Sequence, residues 1–368
     1  MKKLFLLLLA GAAALLAADL PADKPAGKIA GGPFVVNATS RAATVVWIVQ
    51  TDELTLQGPA GVKLLTSPSL HVEKTTLTGL KPNTHYEYAV AGQGAGKGSF
   101  KTAPANNDPA PSYQFLVYGD TRTRHDVHRK VMEAVGKLEA PDFVLHTGDL
   151  VADGYDSSLW PVFFDIERDL LRHTAFFPSL GNHERNADYF REIFQEDKPY
   201  YSFNWGNGHF IVMNSDIANF AASEREKDAY WNEQVRWLED DLQAYQKADY
   251  RFVIAHHPPF TAVTRRQGDN PHMTALVPMF EKYHVNAAFF GHDHNYQHYL
   301  KNGIHYVVTG GGGAPLYDVD KPAEGITVKV VKTENFVTVK VDGKSAHVEA
   351  IAVDGTKLDQ IDIHGGAQ

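Results

Sequence analysis

From residue 113 onward the sequence repeats one pattern, a short apolar run closed by a polar residue able to bind a metal. "YQFLVYGD" closes at Asp120, "DFVLHTGD" at Asp149, "AFFPSLGN" at Asn182, "RFVIAHH" at His256 and His257, and "NAAFFGHDH" at His292 and His294. Helical patterns near 125–138, 157–173 and 223–245 separate several of these runs. The last opens with Ser223 and Glu226 at capping-box spacing and sets Trp231, Val235, Leu238 and Leu242 on one face. Strand–helix alternation predicts an α/β protein with a mostly parallel sheet covered by helices. Residues just past the carboxyl ends of such strands line the ligand crevice, so groups far apart in sequence converge there.

The chemistry of those groups narrows the ligand. The chain has no cysteine, which excludes thiolate ligands, thiolate nucleophiles and disulfide staples. Oxygen and imidazole donors suit Mn²⁺, Zn²⁺ or iron. Asp120, Asp149, Asn182, His256, His292 and His294 are too many for one four-coordinate ion and suit two ions that share a bridge.

Residues 1–18 read as a secretory signal peptide: Lys2 and Lys3, a leucine-rich core, then alanines. The apolar stretch from Leu4 to Ala18 is short for a membrane span. A periplasmic or secreted protein without an integral membrane span is expected. The formal net charge of −9 argues against bulk attraction to nucleic acid or an anionic membrane, and leaves local anion binding to metal or arginine.

Residues 33–104 have β texture, with "TVVWIV" and "HYEYAV" as short strand-like runs between Gly and Pro punctuation. They suggest a small sandwich, and "LTGLKPNTHYEYAV" is similar to the fibronectin type III pattern in which a tyrosine, here Tyr86, ties a corner through its hydroxyl. Residues 105–112 are a linker by composition. Residues 325–364 return to alternating β with "VDGK" and "VDGT" as hairpin turns; they are assigned to the domain spanning 113–368, in a second sheet.

Together, "GD" at 119–120, "GD" at 148–149, "GNHE" at 181–184, "VIAH" at 253–256 and "GHDH" at 291–294 resemble the calcineurin-like metallophosphatase signature. With the β-region in front, the resemblance is to the purple acid phosphatase branch. It implies a fibronectin III-like β-sandwich followed by a four-layer α/β/β/α domain. It also implies a site in which Asp149 bridges two metals, Asp120 and His294 complete the first, and Asn182, His256 and His292 hold the second. The implied activity is hydrolysis of phosphate monoesters: the ions polarise the phosphoryl oxygens and make hydroxide available near neutral pH. A phosphodiesterase acting on nucleotides or lipid headgroups is one alternative. A metal-depleted protein that binds phosphate or a partner is another.

The resemblance also places residues around the metals. His183 follows Asn182 and is expected to donate a hydrogen bond or proton to phosphate, the alternative being a structural bond to Glu184 or a backbone carbonyl. His257 either contacts substrate or orients His256. Arg122 either clamps a phosphate oxygen or pairs with an acidic residue. Arg265, Arg266 and His272, in the polar loop after "HHPPF", are candidate substrate contacts. The run "GGGGAPLY" at 310–317 gives a backbone able to approach the metals. Two positions depart from the family pattern. Ala152 stands where purple enzymes carry a metal-binding tyrosine, and Arg122 where related enzymes carry a histidine. Divalent ions and no purple colour are therefore expected, with His125 and His128 the nearest replacements for the missing ligand or else surface residues at a helix start.

Overall fold

In the computed structural model the apolar runs present alternate residues to two different layers, as strand geometry requires. Phe115, Val117, Phe143 and Leu145 face one apolar cluster, whereas Leu116, Tyr118 and Val144 face another. The structure describes residues 9–10, 13–17, 27–51, 70–91, 96–106, 108, 110–220 and 223–366. Of the expected signal peptide, most residues lie outside that set. Two strands are described there, β1 (Leu9–Ala10) and β2 (Ala13–Ala17). No helix among the described residues is long and apolar enough to cross a membrane.

The N-terminal region adds β3 (Gly27–Val36), β4 (Ala42–Thr51), β5 (Leu70–Thr78), β6 (His85–Ala89) and β7 (Lys97–Lys101). Tyr86 accepts a hydrogen bond on its hydroxyl from the backbone N–H of Lys81 at 2.8 Å. Next come β8 (Ser112–Tyr118), helix α1 (His125–Val135), β9 (Phe143–His146), helices α2 (Leu159–Ile166) and α3 (Arg168–Leu171), and β10 (Ala175–Pro178). Helix α4 (Asp188–Phe194), β11 (Tyr201–Trp205), β12 (Gly208–Val212), α5 (Glu224–Ala244) and β13 (Tyr250–Ile254) follow. After them lie α6 (Pro271–Thr274), α7 (Val277–Lys282), β14 (Ala287–Phe290), β15 (Tyr296–Lys301) and β16 (Ile304–Thr309). The chain closes with β17 (Thr327–Val331), β18 (Asn335–Asp342), β19 (Ser345–Ala352) and β20 (Lys357–His364).

Two large sheets carry the site. One has nine strands in the order β20-β19-β18-β8-β9-β10-β3-β4-β5, with β8, β9, β10 and β3 parallel. The other has seven, β11-β12-β13-β14-β16-β15-β17, with β12, β13, β14 and β16 parallel. Their inner faces share one core: Phe115, Phe143 and Phe177 meet Phe210, Phe252 and Phe289. Helices α1, α2 and α4 cover the outer face of the first sheet, and α5 and α7 that of the second. Helix–sheet–sheet–helix layering follows. The strands of 325–364 are divided between the sheets, β17 in the second and β18–β20 beside β8 in the first.

The capping box at Ser223 and Glu226 forms in both directions and starts α5. The single helix expected over 157–173 is instead broken into α2 and α3 at Glu167. The carboxylate of Glu167 is fully buried, where it accepts from the Tyr118 hydroxyl at 2.7 Å and meets His128 Nε2 at 2.6 Å.

Candidate metal centre

Each metal-capable residue sits two to four residues past a strand end. Asp120 follows β8, Asp149 follows β9, Asn182 follows β10, His256 follows β13, and His292 and His294 follow β14. The parallel strands bring these ends to one edge, and the side chains fall into two touching groups. Asp120, Asp149 and His294 form one group of donor atoms mutually within 4.8 Å, and His256, His257 and His292 form the other. Asn182 belongs with the second, its Oδ1 lying 3.1 Å from both His256 Nε2 and His292 Nδ1. Asp149 joins the groups, with Oδ1 3.4 Å from His256 Nε2.

Hydrogen bonds fix which ring atom faces inward. His256 Nδ1 donates to the Thr147 carbonyl at 2.8 Å, which leaves the Nε2 lone pair toward the centre. His294 Nδ1 donates to the Pro315 carbonyl at 2.7 Å, and its Nε2 lies 3.3 Å from Asp120 Oδ1. Glu184 holds the loop between the groups by accepting from the backbone N–H of Asp149, Val151 and Gly181. Burial first, then the Asp149 charge, push the Glu184 carboxyl up to about 8, and two of those N–H donors, Val151 and Gly181, oppose the shift.

The electrostatics favour a cation. Burial works against charge on Asp149, but His256, His183 and Arg122 outweigh it and hold its carboxyl below the usual range. Burial likewise opposes a charged His256, yet Asp149 and Asp120 carry its pKa upward. His292 and His257 are pushed far down by burial and by neighbouring imidazoles, so they present neutral rings.

Three observations show that the residues fit metal ions. Asp120 Oδ1 is buried without a hydrogen-bond partner. The Asn182 oxygen faces the His256 lone pair at 3.1 Å, an acceptor against an acceptor, which a shared cation relieves. That spacing matches donors on bonds of about 2.0–2.2 Å to one ion.

The rim residues are placed as follows. His183 bonds through Nδ1 to the Ala152 carbonyl at 2.8 Å, not to Glu184, and its Nε2 lies 4.0 Å from Asp149 Oδ2. Arg122 pairs with Asp149, Nε to Oδ2 at 3.3 Å. His257 does not brace His256; its Nδ1 meets Ser215 Oγ at 2.9 Å. Arg266 contacts the His292 imidazole through Nη1 and lies 3.9 Å from Asp293. Arg265 lies over the Tyr317 ring. His272 bonds to the Ser215 carbonyl at 3.0 Å, 6.5 Å in ring separation from His257. His125 is exposed at the start of α1. His128 is a correction to the surface reading: it is buried against Glu167, because its position in α1 faces the core. The glycine run packs on the first loop, with Gly312 N–H donating to the Gly119 carbonyl at 2.9 Å.

Sequence reasoning assigned no role to Ser215, Asp293 or Tyr317. "HFIVMNSD" carries the same signal as the other runs, an apolar strand (β12) ended by polar residues, and would have flagged Ser215. Nothing local marks Tyr317, whose partners are distant in sequence.

Two faced sheets with metal-capable groups gathered at their strand ends define the layered metallophosphatase class. The calcineurin-like phosphoesterase model matches residues 113–296, and the chain belongs to that family. Mouse acid phosphatase type 7 is 23% identical over 260 residues, 62% of this chain and 57% of that protein. A purple acid phosphatase of Glycine max is 23% identical over 279 residues, 68% of this chain and 58% of that one. The chain thus spans little more than half the length of these curated relatives. In structure it is similar to the purple acid phosphatase PPD1 of yellow lupin, with a TM-score of 0.70 at 18% identity, covering 90% of this chain and 74% of that one.

Proposed function

We propose that this chain is an exported phosphatase that hydrolyses phosphate monoesters at a pair of divalent metal ions. The observation that carries the reading is the position of Asp149, grouped with Asp120 and His294 on one side and 3.4 Å from His256 on the other. Asp120, Asp149 and His294 would hold one ion, and Asp149, Asn182, His256 and His292 the other. Bound there, the ions would polarise the phosphoryl group and supply an activated water.

The protein's own groups then orient the ester. With Nδ1 committed to the Ala152 carbonyl, His183 presents Nε2 to the leaving oxygen as a hydrogen-bond or proton donor. Arg266 and Arg122 offer guanidinium groups to the non-bridging oxygens. Neutral His257 and His272 line the same side without adding charge. The β-rich N-terminal region is read as a fibronectin III-like sandwich.

The test is hydrolysis of an aryl phosphate across roughly pH 4–9, before and after chelation. Turnover that is lost on chelation and restored by Mn²⁺ or Zn²⁺ is expected. Asp149→Asn should lower kcat by about a thousandfold or more while leaving the far-UV spectrum intact. Metal-independent turnover, or none at any pH, would end the proposal. One observation favours a second reading, a metal-depleted phosphate binder: the Arg122 guanidinium lies where it competes with a cation for Asp149. Metal analysis separates the two, since about two ions per chain supports the enzyme and one or none the binder.

A further inference from the structure

Two loops meet above the first group of donors, residues 261–266 after β13 and residues 315–321 after β16. They are joined along their length. Lys321 N–H donates to the Ala262 carbonyl at 2.8 Å, and Thr264 N–H to Asp320 Oδ1 at 3.1 Å. Both loops are tied to the turn that carries His292 and His294. The Thr261 hydroxyl donates to Asp293 Oδ2, and Ala262 N–H donates to Gln297 Oε1 at 2.7 Å. On the other side, Pro315 takes the Nδ1 proton of His294, and Tyr317 N–H donates to the His294 carbonyl at 3.0 Å.

Tyr317 occupies the junction. Its ring stacks on the His294 imidazole at 4.0 Å and 25°. The Arg265 guanidinium also lies over it, 4.0 Å from its centroid. Two groups that close to one centroid fit only on opposite faces, so the ring is sandwiched between a metal-capable histidine and an arginine. Arg266 reaches the same ring, its guanidinium 5.3 Å from the centroid and Nη2 3.4 Å from the hydroxyl. A planar aromatic ring suits this place: it stacks on imidazole and attracts guanidinium electrostatically, and its hydroxyl adds one long contact from Arg266.

We propose that Tyr317 is a positioning residue that fixes Arg265 and Arg266 relative to His294, and so aims two cationic groups at the phosphate of the substrate. The inference rests on the phosphoester reading of the site. Arg265 is exposed and Arg266 half-buried. A long exposed side chain loses rotamer freedom on binding an anion, and the stack removes that loss beforehand. Tyr317 therefore acts on substrate affinity through the arginines and does not touch the reacting atoms.

The experiment compares wild type with Tyr317→Phe, Tyr317→Leu and Arg265→Gln, all loaded with Mn²⁺ or Zn²⁺. It measures aryl phosphate kinetics, binding of inorganic phosphate by calorimetry, and metal content. Tyr317→Leu should raise KM and weaken phosphate binding by about tenfold each, the scale of a lost charge-assisted contact, with kcat and metal content little changed. Tyr317→Phe keeps both stacking faces and should stay within about threefold of wild type. Arg265→Gln should reproduce a large part of the effect with full metal content, which keeps the test valid if the Leu variant folds poorly. The proposal is overturned if Tyr317→Leu and Arg265→Gln bind phosphate as wild type does, or if Phe is as impaired as Leu. Phosphate binding is read without turnover. A wild type that binds phosphate but does not hydrolyse esters would therefore sink the phosphatase reading and leave the positioning role standing.

Discussion

Asp120, Asp149 and His292 have φ angles of 60°, 57° and 68°, in the left-handed region that side-chain-bearing residues seldom enter. Asp, Asn and His tolerate it best among them, but each still costs of order 1 kcal/mol or more. Three such residues among the donor groups concentrate backbone strain at the candidate site, where strain of this kind characteristically accompanies ligand binding. His183 is the neighbouring residue with a free hand. It is a partly exposed histidine of the rim, with Nδ1 engaged by the Ala152 carbonyl and Nε2 4.0 Å from Asp149 Oδ2. His183→Gln should therefore lower kcat by about 10²–10³-fold with KM within about threefold and unchanged metal content, as expected for a general acid. Steady-state kinetics with metal analysis checks this. A KM rise at constant kcat would assign His183 to ground-state binding instead.

At the scale of elements, the site strands end where their sequences turn from apolar to polar, and the turns after β8, β9, β10 and β14 carry glycines that pack closely on neighbouring turns. Gly181 bears most directly on the donors: a Cβ there would run into the backbone nitrogen and carboxylate of Asp149, and backbone has little room to yield. Gly181→Ala should displace Asp149 and lower metal affinity and activity by about a hundredfold or more, while far-UV dichroism stays native. Native metal content in that variant would show the loops to be more independent than they look. This also marks what was legible beforehand. Strand ends with Asp120, Asp149 and His256 could be read because apolar period and terminal polarity are local signals. The break between α2 and α3 could not be read, since it depends on Glu167 turning inward to His128 and Tyr118. Tyr317 could not either: its stack on His294 and Arg265 joins three segments that share no sequence pattern.

For the molecule as a whole, the least local feature is how the N-terminal strands attach. β3 lies parallel beside β10, with Val35 opposite Ala175, and so carries β4 and β5 into the same nine-stranded sheet as β8 and β9. Phe34 stacks on Phe164 of α2 at 4.8 Å and lies 6.1 Å from Phe194 of α4. Phe34, Val46 and Ile48 are fully buried in the cluster that also holds Phe176 and Trp160. Each such side chain contributes about 1.5–3 kcal/mol by burial, and a whole domain is stable by only about 5–15 kcal/mol. Removing these strands would also bare the hydrogen-bonding edge of β10, whose residues are all buried, and an open apolar edge invites aggregation. The full chain should therefore unfold in one calorimetric transition. A fragment of residues 112–368 should be recovered as aggregate or melt at least about 10 °C lower. If the fragment were soluble, bound metal and melted with the parent chain, β3–β5 would be an appendage and the common core would not be what holds the metal centre in place.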